Sequence, residues 1–354
     1  MRSSASATEL NRLVQGYKLC AQTEGKSKST IQIVTSSVGY LRNFLESEGL
    51  STDATKIGPD EIRAFILYLQ HKRQFSGHPF LRAQREGLSA HTINSYLRSI
   101  RAFWSWIVGE EIITENPFLR VKIPKAPHKV IPTLSPTQIQ MLLGTIDTTS
   151  AEGFRDYVVV LTLLDTGLRI SEFLGLRLDD LWIEEGVLKV MGKGSRERII
   201  PIGKGVRRLL WRYINLFRPE SAKPNCDLVF LTKRGWPLTK GRVQKRMSLY
   251  AGRAGLSGVR CSPHILRHTA AVSFLRNGGD VFSLQRLLGH STLLMTRHYC
   301  ELADIDVRRA HATASPVDNL ITGPGMAKEQ SSSRSSRGGP HSKRLQLPIN
   351  KWQL

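Results

Sequence analysis

Residues 166–172 read Thr-Gly-Leu-Arg-Ile-Ser-Glu, and they follow an apolar stretch with helical spacing over residues 154–166. Glycine commonly ends helices, because it adopts the left-handed conformation without a steric penalty. Gly167 therefore predicts the end of that helix, and Ser171 predicts the start of the next one. Arg169 is then expected in the corner between two helices, among apolar neighbours.

An arginine in such a corner is a candidate for binding phosphate. A guanidinium held in place can donate two parallel hydrogen bonds to phosphate oxygens. Glu172, three residues further on, can orient Arg169. A purely structural Arg–Glu pair is the alternative, and this segment alone leaves both interpretations open.

The region around this corner, residues 134–320, is predicted to be a mixed domain. Residues Val187–Met191 and Arg198–Ile202 predict two short strands, joined by a hairpin turn at residues 192–195, Gly-Lys-Gly-Ser. Apolar residues at helical spacing predict helices at residues 205–217, 239–254, 263–277 and 282–288.

The first part of the chain, residues 1–120, shows helical patterns only. Residues 1–27 are polar and predict a frayed start, and residues 72–88 predict a loop. One apolar stripe of helical spacing comprises Ile31, Val34, Val38, Leu41 and Leu45, and further helices are predicted at residues 60–69 and 89–107. Residues 1–120 thus predict a helical domain with its own core.

Two segments read as non-globular. Residues 121–133 carry three prolines and three lysines without glycine, which is typical of a stiff connector. They predict an interdomain linker, with a surface loop as the alternative. Residues 321–354, rich in Ser, Gly, Arg and Lys, predict a disordered basic tail.

The charge of the chain indicates a polyanionic partner. The 354 residues include 51 Lys and Arg against 29 Asp and Glu, a net charge of +22. Nucleic acid is the commonest partner of such a surface. The tail does not account for the excess, because residues 321–354 hold only six basic residues and one acidic residue.

Cysteine usage and hydropathy indicate an intracellular protein. Cys20, Cys226, Cys261 and Cys300 are scattered and show no paired spacing, which argues against a disulfide scaffold. No apolar stretch approaches the roughly 18 residues of a membrane span, and the first residues lack a signal core. We expect a cytoplasmic, nucleoid-associated protein.

Lys193 is the second candidate, at the tip of the predicted hairpin. A lysine between two glycines can reach into a groove and donate a proton. A solvated turn residue is the commoner reading of such a lysine. The segment lacks the spacing of a nucleoside-triphosphate loop.

The third candidate segment is residues 261–268, Cys-Ser-Pro-His-Ile-Leu-Arg-His. His264 and Arg267 are three residues apart and share one face of the first turn of a predicted helix. The positive end of that helix keeps His264 neutral and able to act as a base. A zinc site made of Cys261, His264 and His268 is the alternative, although it lacks a fourth ligand.

The fourth segment comprises residues 287–291, Leu-Leu-Gly-His-Ser, and 295–299, Met-Thr-Arg-His-Tyr. Taken alone, His290 and Tyr299 read as ordinary core or surface residues. Together with the other segments they complete a set that suits one reaction. Arginines neutralise a pentavalent phosphate, a tyrosine attacks phosphorus, and lysine and histidine move protons. This chemistry needs no metal and no cofactor.

The ordered motifs TGLRISE, GKG, HILRH and LLGH, with a tyrosine nine residues after the last histidine, closely resemble the tyrosine recombinase (phage-integrase, Xer-like) family. The match covers about residues 155–305, and residues 1–120 resemble the core-binding domain more loosely. The resemblance implies a mainly α fold with a small β-sheet. A helical SAM-like domain and a mixed α+β catalytic domain would form a C-shaped clamp around DNA.

The resemblance also implies a role for each matching residue. Two arginines would bind the non-bridging oxygens of the scissile phosphate, and a tyrosine would form a 3′-phosphotyrosine bond. Lysine would protonate the leaving 5′-oxygen, and histidines would serve as acid/base and as hydrogen-bond donor. The catalytic set is Arg169, Lys193, His264, Arg267, His290 and the nucleophile Tyr299, supported by Glu172.

The implied partners are double-stranded DNA and further copies of the chain, as a tetramer on two DNA sites. Residues 302–320 could dock on a neighbouring subunit. Integration and excision of a mobile element is the favoured role, and Xer-like resolution of chromosome dimers is the alternative. A type IB topoisomerase, a non-catalytic DNA-binding protein of the same fold and a zinc-dependent module are the competing classes.

Overall fold

The computed structural model describes residues 7–71, 87–125, 127, 131–192, 197–303, 311 and 315–317. The chain divides into two compact units, Met1–Val130 and Ile131–Leu354. The predicted fold class is confirmed: both units are mainly helical, and the described sheet is small and lies in the second unit. No helix of the described ranges is long and apolar enough to cross a membrane.

The described residues of the first unit form four α-helices, α1 (Leu10–Thr23), α2 (Lys28–Ser47), α3 (Pro59–His71) and α4 (Ala90–Gly109). Ser27 and Ser89 cap α2 and α4, because each side chain accepts a hydrogen bond from the backbone amide three residues later. The core is mainly aliphatic and includes the fully buried aromatic side chains Phe65, Phe103 and Trp104.

The frayed start predicted for residues 1–27 is wrong over Leu10–Thr23, where α1 is a regular helix, and residues 1–6 lie outside the described residues. Leu10, Leu13, Tyr17 and Ala21 are buried on one face, at intervals of three and four residues. Tyr17 contacts two aromatic rings of α4 edge-on. Polar residues lie between these four positions and face outward. Because they make the segment polar on average, its composition hides the apolar stripe.

The first half of the predicted connector packs against the helical unit. Val121 is buried in the core of that unit, and Asn94 donates a 2.8 Å hydrogen bond to the Pro124 carbonyl. Most of the predicted loop at residues 72–88 lies outside the described residues.

The second unit holds a three-stranded antiparallel sheet in the order β1-β2-β3. Its strands are β1 (Leu181–Trp182), β2 (Val187–Met191) and β3 (Glu197–Pro201). Strand β2 matches its predicted bounds, and β3 begins and ends one residue before its predicted bounds. Strand β1 has only two residues, which is too short for a sequence pattern to predict. Leu188 and Ile200 face each other and are fully buried.

The remaining described elements of this unit are mainly α-helices. They are α5 (Pro136–Gly144), α6 (Ala151–Thr166), α7 (Ile170–Leu174), α8 (Lys204–Arg212), α9 (Lys240–Arg253), α10 (Pro263–Arg276), α11 (Val281–Leu288) and α12 (Leu294–Ala303). A turn of π-helix at Tyr213–Phe217 continues α8, so the predicted helix over 205–217 changes its winding. The predicted tail, residues 321–354, lies outside the described residues.

Helix α10 lies at the centre of the second unit and positions the candidate residues. It contacts α6, α11 and α12, and ten of its residues are buried. Such all-round burial is typical of a central helix. Its first turn, which carries His264 and Arg267, is therefore held by packing on several sides.

We expect Gly167→Ala to destabilise the second unit by about 1–3 kcal/mol. Gly167 ends α6 with φ +61°, and an added Cβ would lie 2.8 Å from Leu288 Cδ2. Urea unfolding measures the loss. Gly252→Ala is the matched control, because that helical glycine has open space around its Cβ position. Equal stability of the two variants would contradict this account.

Candidate active site

The predicted corner at Arg169 is present. Helix α6 ends at Gly167, and Arg169 precedes the first turn of α7. Arg169 Nη1 donates to Glu172 Oε1 at 2.9 Å, and the Arg169 backbone amide donates to Glu172 Oε2 at 3.1 Å. The Arg169 side chain keeps 37% of its surface exposed, so the guanidinium can bind Glu172 and still reach a ligand.

Glu172 has a second arginine partner that the sequence did not reveal. Arg198, on β3, donates from Nη1 to Oε1 at 3.2 Å and from Nη2 to Oε2 at 2.8 Å. Burial raises the pKa of Glu172, but the hydrogen bonds from Arg198 and Arg169 outweigh it and leave the pKa below its usual value. Glu172 is therefore a carboxylate between two guanidinium groups.

Arg267 joins three of the sequence motifs. Its Nη1 donates to the Gly167 carbonyl at 2.7 Å, and its Nη2 donates to the Leu288 carbonyl at 2.9 Å. The same Nη2 lies 3.1 Å from His290 Nε2. Burial and the nearby charge of Arg169 lower the pKa of Arg267 to about 10, so it stays protonated at neutral pH.

His290 is held as a neutral imidazole in one tautomer. Since a guanidinium only donates, His290 Nε2 accepts from Arg267, and the ring proton is assigned to Nδ1. Nδ1 lies 3.0 Å from the hydroxyl of Thr296, which is fully buried on α12. Burial, followed by the charges of Arg267 and Arg169, lowers the pKa of His290 to about 4.

Tyr299 lies on α12, one helical turn after Thr296, and is buried. Its ring is stacked on that of His290 at 6.1 Å and lies 5.3 Å from that of His268, between ring centres. Burial raises the pKa of Tyr299, although Arg267 opposes this effect. The phenol is therefore protonated at neutral pH, and its reaction requires a base.

Two adjacent histidines of α10 can supply that base. His264 Nε2 and His268 Nε2 lie 2.8 Å apart. Burial and the charges of Arg267 and Lys240 lower the pKa of His264. The sequence predicted a neutral His264 from the helix end alone, and these further causes act in the same direction. Burial and the neighbouring His264 lower the pKa of His268 to about 4.

Five of the predicted residues line one cavity of about 690 Å³: Arg169, His264, Arg267, His290 and Tyr299. Glu172 lies behind Arg169, and Lys193 lies outside the described residues. Lys240 and Gln244 of α9 also line the cavity, and sequence reasoning missed both. The signal for them was the run of basic residues at the start of α9.

The zinc alternative lacks support in its own ligand set. Within the described ranges, no three His, Cys, Asp or Glu side chains are grouped so that they could hold a metal. Burial raises the pKa of Cys261 to about 11, which disfavours the thiolate that zinc binds.

We expect the protein to lose stability between pH 7.5 and pH 5.5. The pKa values of His268 and His290 are about 4 in the fold and about 6.5 in the unfolded chain, so the unfolded chain binds more protons as the pH falls. Each histidine accounts for up to about 1 kcal/mol over this interval. Urea unfolding at both pH values measures the loss, and His290→Asn should reduce it. A stability that is constant with pH would contradict the neutral assignment.

A cavity in which a tyrosine hydroxyl meets two guanidinium groups and neutral imidazoles is suited to phosphoryl transfer without a metal. The comparisons with known proteins agree with this class. Residues 132–305 match the phage integrase family, and residues 14–123 match the phage integrase SAM-like domain. This chain belongs to the phage integrase family and is a tyrosine recombinase.

Similar curated proteins include two XerD recombinases. The tyrosine recombinase XerD of Listeria innocua is 28% identical over 295 residues, covering 83% of this chain and 94% of the relative. The XerD of Proteus mirabilis is 33% identical over 241 residues, covering 68% and 77%.

The fold is also that of solved recombinase structures. The Tn1549 transposon integrase in complex with a circular intermediate DNA has a TM-score of 0.64 at 24% identity, with 86% of this chain and 99% of that chain covered. The XerH recombinase bound to a palindromic difH substrate has a TM-score of 0.63 at 19% identity, covering 88% and 85%.

Proposed function

We propose that this protein cuts and rejoins double-stranded DNA through a 3′-phosphotyrosine intermediate formed by Tyr299. The observation that carries the proposal is the shared cavity of Tyr299, Arg169 and Arg267. Family membership and the DNA-bound structural neighbours support a DNA substrate.

In the first step, Tyr299 Oη attacks the scissile phosphorus, a P–O bond to the tyrosine forms, and the bond to the 5′-oxygen breaks. Arg169 and Arg267 bind the non-bridging oxygens and offset the negative charge that grows on them. His290 donates a hydrogen bond to the phosphate. This requires the ring to take the other tautomer, in which Nδ1 accepts from the Thr296 hydroxyl and Nε2–H donates to the phosphate instead of accepting from Arg267.

Two protons move in this step. His264 accepts the proton of Tyr299, because its lowered pKa leaves the imidazole neutral, with one unprotonated nitrogen, at pH 7. Lys193 protonates the leaving 5′-oxygen, a role that rests on the sequence motif. The reverse reaction with a new 5′-hydroxyl rejoins the strand, and the covalent ester conserves the phosphodiester energy without ATP.

The remaining parts of the chain serve DNA binding and assembly in this proposal. Residues 1–120 form the core-binding domain, residues 121–133 the linker and residues 134–320 the catalytic domain. The net charge of +22 supports contact with many phosphates. Four copies assemble on two DNA sites, and residues 302–320 join neighbouring copies.

A plasmid assay with two target sites tests the reaction. In EDTA and without ATP, we expect resolved circles. Relaxed plasmid without strand exchange would instead indicate a type IB topoisomerase, and inhibition by EDTA would indicate a metal-dependent mechanism.

The favoured biological role is integration and excision of a mobile element. Resolution of chromosome dimers is the second candidate, because XerD relatives match over 94% of their length. Sequencing the DNA captured covalently from sheared host chromosome separates the two roles. Capture at the ends of an element that carries the gene supports integration. Capture at a single chromosomal site outside any element supports dimer resolution.

A further inference from the structure

The carboxylate of Glu172 is shared by two arginines, of which Arg169 lines the cavity and Arg198 does not. Arg198 uses both terminal nitrogens on Glu172, one to each oxygen. Its side chain is only 17% exposed, compared with 37% for Arg169. The two guanidinium groups therefore have different surroundings, and only that of Arg169 is open to a ligand.

Arg198 is held on the opposite side by the end of α11. A Cβ added at Gly289 would lie 2.9 Å from Arg198 Cζ, so the backbone of Gly289 approaches the guanidinium closely. Gly289 immediately precedes His290 and adopts φ +63°. Arg198 thus contacts both the Arg169–Glu172 corner and the turn that carries His290.

The charges of the site show what this arrangement accomplishes. Arg169, Arg198 and Arg267 are positive, Glu172 is negative, and the low pKa of His290 keeps that ring neutral. These three arginines and Glu172 sum to +2, and Lys240 on the cavity wall adds a further positive charge, so the site favours a pentavalent phosphorane that carries two negative charges. Without Arg198, the charge of Arg169 would be offset by Glu172.

We propose that Arg198 is a positioning residue that neutralises Glu172, so that Arg169 keeps its charge and its donors for the scissile phosphate. This inference rests on the proposed function. Arg198 acts through Glu172 and Arg169 and does not touch the substrate.

Three variants test the inference in the rate of covalent adduct formation at saturating protein, on a nicked duplex that carries the captured target site. Arg198→Met is expected to slow the reaction about 10- to 100-fold, the range seen when the outer partner of a metal ligand is removed. The double variant Arg198→Met/Glu172→Gln removes the unbalanced carboxylate, and it is expected to react faster than Arg198→Met alone.

Arg177→Met is the matched control. Arg177 also donates two hydrogen bonds to a carboxylate, that of Asp227, but this pair is exposed and outside the cavity lining. The control is expected to react at the rate of the unmodified chain. Circular dichroism and urea unfolding of all variants detect any loss of fold.

A second substrate separates a charge effect from a merely structural one. A methylphosphonate at the scissile position carries one negative charge fewer, so the defect of Arg198→Met should shrink on it. An equal defect on both substrates, or a double variant as slow as the single one, would overturn the inference. A normal rate for Arg198→Met would overturn this inference and leave the proposed function intact. Failure of the unmodified chain to form an adduct would overturn the proposed function, and this inference with it.

Discussion

Tyr299→Phe is expected to abolish the covalent protein–DNA adduct while DNA affinity stays unchanged. The substitution removes one oxygen, the only atom of this side chain that can bond to phosphorus. The ring itself remains, so the stacking on His290 and the contact with His268 are kept. Denaturing electrophoresis detects the adduct, and a gel-shift assay measures binding.

Tyr157→Phe provides a matched control for this prediction. Tyr157 is a partly buried tyrosine on α6 that packs against the core of the same unit and does not line the cavity. It is expected to form adduct at the normal rate. If Tyr299→Phe still forms the adduct, Tyr299 is not the nucleophile. If binding is also lost, the tyrosine contributes to DNA recognition rather than chemistry alone.

Arg267→Ala is expected to reduce the cleavage rate by at least about 10²–10³-fold, the cost of removing one donor from a developing oxyanion. Arg267 is buried between the Gly167 and Leu288 carbonyls, and it contributes its positive charge next to His290. Most of the DNA affinity should remain, because a chain with a net charge of +22 offers many other cationic groups to phosphates.

Since the substitution also removes the hydrogen bonds from Arg267 to the Gly167 and Leu288 carbonyls, of which only that of Leu288 has a second donor in Arg169, Arg267→Lys is needed beside it. Lysine retains the charge but cannot bind two oxygens in a fixed plane. It is expected to recover stability more than activity. A large loss of binding with a normal cleavage rate in either variant would contradict the role assigned to Arg267.

The sequence predicted the candidate cavity better than its supporting contacts. The residues that line the cavity occur in short motifs, and three of their motifs meet at Arg267. Helix ends at Gly167 and Gly289 could be predicted, because the left-handed conformation there is local and needs glycine.

The contacts that orient these residues depend on tertiary structure, which no local pattern encodes. Arg198 lies 26 residues after Glu172, and the two are brought together by the pairing of β3 with β2, the strand that contacts α7. Thr296 looks like an ordinary helical residue until its hydroxyl is found on His290 Nδ1. The neutral state of His264 was expected from the helix end, whereas burial and two cations also cause it.

The proposed function depends on a covalent bond between Tyr299 and the 3′-phosphate of DNA. The most direct test is to trap the adduct on nicked duplex DNA in EDTA, digest protein and DNA, and identify the modified peptide by mass spectrometry. The account predicts a nucleotide 3′-phosphate on Tyr299, in the peptide that begins at His298 when trypsin is used. A modification on any other residue, or a 5′-phosphate linkage, would contradict it.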